Sequence, residues 1–123
     1  ILIADDEYAL VEALTELLQD DGYRIVSAAN GKDALARAEV EKPDLVLTDL
    51  MMPIADGREL IRGLRDRPEF RSTPVVMMSA TARSVALLDE QGGVEVSAFL
   101  KKPFDWEKLR TVIEGLIGES SAD

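Results

Sequence analysis

Asp49 stands in the run VLTDLMMP, with the apolar Leu45, Val46 and Leu47 before it and Leu50, Met51, Met52 and Pro53 after it. A carboxylate in such company loses hydration, at a cost on the order of several kcal/mol unless a partner compensates it. Other reactive residue types also follow apolar runs: Asp5 and Asp6 after ILIA, Ser79 after PVVMM, Lys101 and Lys102 after SAFL. Carboxylates gathered together repel, and their pKa values rise unless a cation sits among them. Mg2+ suits such a group, because it is hard, takes oxygen ligands and keeps several of its waters. A backbone carbonyl in the loop after Asp49, such as that of Met51, would add one more oxygen. An ammonium at Lys102 would pair with Asp49 or with an anion attached to it. Together these residues make up a site for phosphate and a divalent cation.

Each residue also has a local reading. Asp6 precedes EYALVEAL, where a helix N-cap belongs. Asp49 is a poor cap, because the next helix begins only near Asp56, beyond Pro53. Ser79 alone reads as a turn or cap residue, and Lys101 and Lys102 alone as a solvated pair. Met51 and Met52 read as packing or loop residues rather than sulfur ligands. The joint placement at strand ends favours the site.

Two kinds of segment alternate and would have to position these residues. Short apolar runs at 1–4, 24–29, 44–48, 74–79 and 97–100 have the length and Val/Ile content of strands buried on both faces of a parallel sheet. Between them the spacing turns helical. Leu10, Val11, Leu14, Leu17 and Leu18 form one amphipathic stripe, and Gly22 reads as its stop. Asn30 reads as the N-cap of a helix with an Ala34, Leu35, Ala38 face, followed by Pro43. The third helix buries Leu60, Ile61 and Leu64 and ends near Pro68; a fourth is expected around Ala82 to Gln91. The fifth puts Trp106, Leu109, Val112, Ile113 and Leu116 on one side.

This alternation predicts an α/β fold, a flavodoxin-like (βα)5 doubly wound sandwich around a five-stranded parallel sheet of order 2-1-3-4-5. In that order strands one and three are neighbours. Asp5, Asp6, Asp49, Ser79 and Lys102 then share the carboxyl edge, where such folds bind ligands.

The 123 residues fit one domain, expected over 1–118, with 119–123 a flexible tail or the start of a linker. The chain opens at Ile1 without Met, so we expect a trimmed sequence with flanking domains out of view. There is no Cys and no His, which excludes disulfides, thiol nucleophiles and imidazole general bases, and fits a cytoplasmic setting. The net charge of −10, from 24 acidic and 14 basic residues, argues against nucleic-acid or membrane binding by this segment. No apolar stretch has the length of a membrane span.

Over essentially its whole length the sequence resembles the receiver domain of bacterial two-component response regulators. The residues that carry the resemblance are DDE after strand one, DLMMPIADG after strand three, SA after strand four and KPF after strand five. The resemblance implies that Asp49 accepts a phosphoryl group from the phosphohistidine of a sensor histidine kinase or histidine phosphotransfer protein. It implies that Asp5, Asp6, Asp49 and the Met51 carbonyl hold Mg2+, and that Lys102 contacts the phosphoryl group. Ser79 matches the hydroxyl switch residue, Phe99 the aromatic rotamer switch, and the Lys102–Pro103 bond is expected to be cis. The output would be a changed surface on the fourth helix, fifth strand and fifth helix, read by a target protein or attached output domain. Such a chain is a phospho-accepting signalling domain with self-catalysed phosphorylation and dephosphorylation, not an enzyme.

The segment QGGVEVSAFL departs from the family's usual pattern, and its Gly92 and Gly93 suggest a mobile end to the fourth helix. The alternative reading is a phosphate-independent docking module. A haloacid-dehalogenase-type enzyme would need an acid two residues after the nucleophile, where this chain has Met51. Nucleotide-binding glycine motifs are absent.

Overall fold

The computed structural model describes residues 1–80 and 96–118. The expected fourth helix, Gly92, Gly93 and the tail at 119–123 lie outside the described residues. Five strands form one parallel sheet: β1 (Leu2–Ala4), β2 (Val26–Ala28), β3 (Val46–Asp49), β4 (Val75–Ser79) and β5 (Ala98–Lys101), in the order β2-β1-β3-β4-β5. The expected order is therefore observed. Helices α1 (Tyr8–Asp20), α2 (Gly31–Glu41) and α3 (Gly57–Arg65) and a C-terminal helix (Trp106–Ile117) follow the first, second, third and fifth strands.

Strand alternation divides the core in two. Leu2, Val46, Val75 and Met77 point to one face with Ala34, Ala38, Leu60, Ile61 and Leu64 of α2 and α3. Ile3, Leu45, Leu47, Val76 and Met78 point to the other, with Leu14 and Leu18 of α1 and Leu109 and Ile113 of the C-terminal helix. Covering both faces is what makes the strands read as unbroken apolar runs. β2 is shorter than its run at 24–29 and lies at the sheet edge, paired with β1.

Local chemistry sets the helix ends. Asn30 caps α2 by accepting from the Asp33 amide at 2.8 Å. Asp56 and Glu59 form a capping box on α3. Gly22, at φ 96°, follows the end of α1. After α3, Arg65 Nη1 donates to the carbonyls of Phe70, Arg71 and Thr73 at 2.6, 3.2 and 2.8 Å, shaping the approach to β4. We expect Arg65→Ala to lower the unfolding free energy by about 2 kcal/mol, measured by urea denaturation. Lys is expected to restore little of this, because a point charge does not match the planar fork.

Candidate functional site

Asp5 follows the last residue of β1, Asp49 ends β3, and β1 and β3 are paired neighbours. Asp5 and Asp49 are buried, Asp6 is exposed, and one carboxylate oxygen from each lies within 4.8 Å of the others. Lys102, just beyond β5, reaches back into this group. Its Nζ is 2.7 Å from Asp5 Oδ2, 3.4 Å from Glu7 Oε1 and 3.5 Å from Asp49 Oδ2. The sequence leads one to expect Lys102 to pair with Asp49 or with an anion attached to it, whereas the ammonium rests closest to Asp5.

Backbone bonds hold the strand ends at this edge. Leu50 N donates to Met78 O at 3.1 Å and Lys102 N to Ser79 O at 2.6 Å. The Lys102–Pro103 bond is cis, as the resemblance implies. Ser79 is buried and shares the face of Val75 and Met77 by alternation. Half-buried Phe99 packs on that same face, paired in register with Met77. The hydroxyl and the aromatic ring are thus brought to one side of adjacent strands. The Met51 side chain is exposed, which agrees with a loop residue.

Asp6 does not cap α1. Glu7 holds the N-cap position without a side-chain bond, and its amide donates to Asp5 Oδ1 at 2.9 Å. Asp5 therefore binds the start of α1 through one oxygen and Lys102 through the other. This leaves the exposed Asp6 outside the helix, with its carboxylate in the acidic cluster.

The electrostatics follow from burial and crowding. Desolvation, then the charge of Asp5, raises the Asp49 pKa above its ordinary 3.8, against the opposing pull of Lys102 and of the Met51 amide. For Lys102 burial acts downward, but the hydrogen bond to Asp5 and the charges of Asp5, Asp49 and Glu7 outweigh it and raise the pKa above 10.5. The ammonium is therefore charged at neutral pH and stands as the resident counter-ion. The donor set fits a hard divalent cation, since it consists of carboxylate oxygens with one face open to solvent at Asp6.

Two contributors escaped the sequence reading. Glu7 was visible as the third acid of DDE, but nothing in its spacing showed that it reaches Lys102. Gly57 matters for its missing side chain: a Cβ there would sit 2.5 Å from Asp49 O and 3.0 Å from Leu50 Cα. Its amide donates to Leu50 O at 2.9 Å, so the start of α3 lies directly on the backbone of Asp49. We expect Gly57→Ala to cost about 1–3 kcal/mol, read by chemical denaturation, because backbone cannot step aside as a flexible side chain would. The intervening loop also holds exposed Ile54 at φ 67°, a conformation that β-branched residues rarely adopt.

Comparison with known proteins agrees with this arrangement. The family model of the response regulator receiver domain matches residues 1–114. The alkaline phosphatase synthesis transcriptional regulatory protein PhoP of Bacillus subtilis is 33% identical over 122 residues, covering 98% of this chain and 49% of that protein. The chain thus spans about half the length of that relative. Among solved structures, chemotaxis protein CheY4 of Vibrio cholerae superposes with a TM-score of 0.85 at 28% identity, over 94% of this chain and 96% of that one. The receiver domain of sensor histidine kinase PA1611 from Pseudomonas aeruginosa, which has a magnesium ion coordinated in its active site cleft, gives a TM-score of 0.83 at 26% identity, over 96% of each chain. With its sheet order, its acidic edge and a family match over nearly its whole length, the chain belongs to the response regulator receiver domains.

Proposed function

We propose that residues 1–118 form a phosphorylatable switch in which Asp49 is the acceptor. The observation that carries this reading is the cluster of Asp5, Asp6 and Asp49 oxygens within 4.8 Å, with the Lys102 ammonium beside it. Asp49 at the end of β3 presents an ionised carboxylate that attacks the phosphorus of a phosphohistidine. The new P–O bond makes an acyl phosphate, the P–N bond breaks, and the departing imidazole takes its proton from solvent. No base is required, since an ionised carboxylate has no proton to lose. Asp5, Asp6, Asp49 and the Met51 carbonyl would hold Mg2+, whose chemistry there is to neutralise charge on the phosphoryl oxygens. Lys102 adds a second positive charge, and phosphoryl transfer depends mainly on such positioning and neutralisation. The phosphorylation and its reversal are self-catalysed.

The phosphoryl group brings roughly −1.5 to −2 charge units and strong acceptor oxygens. The Ser79 hydroxyl moves to donate to one of them, and Phe99, on the same face, turns into the space released. The surface of the fourth helix, β5 and the C-terminal helix then changes and is read by a target protein or attached output domain. The donor is a sensor histidine kinase or histidine phosphotransfer protein in the cytoplasm. The net charge of −10 argues against direct nucleic-acid contact. Among the described residues no helix is long and apolar enough to cross a membrane.

Nitrogen-15 NMR with beryllium fluoride and Mg2+, which mimic the phosphoryl group, tests this reading. The expected result is a shift of the Ser79, Phe99 and C-terminal-helix amides together with those at Asp49. Shifts confined to the acidic edge would favour the phosphate-independent docking module.

A further inference from the structure

Lys102 touches three carboxylates, and Glu7 is the one outside the group that could hold a cation. We propose that Glu7 is a positioning residue: it retains the Lys102 ammonium when a divalent cation takes Asp5, and so strengthens cation binding without touching the cation. The inference rests on reading Asp5, Asp6 and Asp49 as the cation site.

The geometry sets up a competition. Lys102 Nζ lies 2.7 Å from Asp5 Oδ2, so the ammonium and an arriving dication need the same carboxylate. Two cations on one buried carboxylate repel, and the ammonium has to yield. Asp49 is a poor refuge, being a member of the same group. Glu7, with 61% of its side chain exposed and Oε1 already 3.4 Å from Nζ, can follow the ammonium as it moves. The Glu7 backbone stays in place because its amide is bound to Asp5 Oδ1 at 2.9 Å. Without the Glu7 charge, Lys102 would hold Asp5 and Asp49 more firmly and the cation would bind less well.

A solvated acid, or an acid acting on the cation directly, behaves differently in a double-mutant cycle. Mn2+ affinity, measured by electron paramagnetic resonance, would be compared in the wild-type protein, Glu7→Gln, Lys102→Met and the double variant. We expect Glu7→Gln to weaken binding about threefold to tenfold when Lys102 is present and to have little effect in Lys102→Met. Lys102→Met itself should bind Mn2+ more tightly than the wild type, and Glu7→Asp should restore part of the loss. Equal losses in both backgrounds, or no loss with Lys102 present, would overturn the proposal. Should Lys102→Met not fold in cation-free buffer, the Nζ resonance of Lys102 in Mg2+ decides the matter. It shifts on Glu7→Gln if Glu7 holds the ammonium, and a resonance left unchanged rejects that role. A wild-type protein that binds no Mn2+ would instead remove the cation-site reading, and this inference with it.

Discussion

Asp49→Asn is expected to abolish phosphoryl acceptance while stabilising the cation-free fold at neutral pH. The amide keeps the shape of the side chain but supplies no anionic oxygen to attack phosphorus. The stabilisation follows from the raised Asp49 pKa, caused first by desolvation and then by Asp5. A carboxyl group with a raised folded pKa favours folding while protonated, and that contribution is lost as pH climbs from 3.8 through the folded value. The wild type should therefore lose stability relative to Asp49→Asn across that window, with the gap constant above it. Urea denaturation at a series of pH values, in chelator, checks the sign. Excess Mg2+ should narrow or reverse the gap, because the wild type retains the full set of carboxylates and ligand binding to the folded state adds stability. A gap that widens as pH falls would contradict the account.

Lys102→Met should act in the opposite sense on stability. The Lys102 side chain is only 11% exposed and the Asp5 side chain is fully buried, so removing the ammonium leaves a carboxylate without its counter-ion. Breaking such a pair costs about 3 kcal/mol. The Lys102 pKa is raised: burial acts against the charge, and Asp5 more than restores it. The pair's contribution is therefore fully present below 10.5 and is lost as pH rises through the folded value, leaving the deficit flat across neutral pH. Mg2+ should recover about 2.7 kcal/mol at a hundredfold excess over its dissociation constant. Thermal and urea unfolding with and without Mg2+ measure both parts. Phosphorylation should fall sharply even in saturating Mg2+, because the second positive charge on the phosphoryl oxygens is gone.

Much of this was legible in the sequence because of burial on both faces of the sheet. Parallel strands covered by helices on each side are predominantly apolar, so Val46–Asp49 and Val75–Ser79 announced themselves, as did the polar residues that end them. Asn30 was readable as a cap, and the start of α3 near Asp56, because helix-end signals are local. What escaped depends on contacts across the sheet. Asp6 read as a cap, but Asp5, fixed at the end of β1, takes the Glu7 amide. Lys102 lies 97 residues from Asp5 in sequence, and no spacing rule shows that it prefers Asp5 to Asp49 or that Glu7 shares it. Gly57 carried no signal of its own in the sequence, because its constraint is the backbone of Asp49 lying against it.

The central claim is that Asp49 becomes phosphorylated in a cation-dependent reaction. Intact-mass spectrometry after incubation with acetyl phosphate and Mg2+ tests it most directly, with Asp49→Asn and a chelator-treated sample alongside. A single phosphoryl adduct is expected on the wild type and absent from both controls. A folded wild-type protein that takes up no adduct with Mg2+ present, or an adduct that persists in Asp49→Asn, would contradict it.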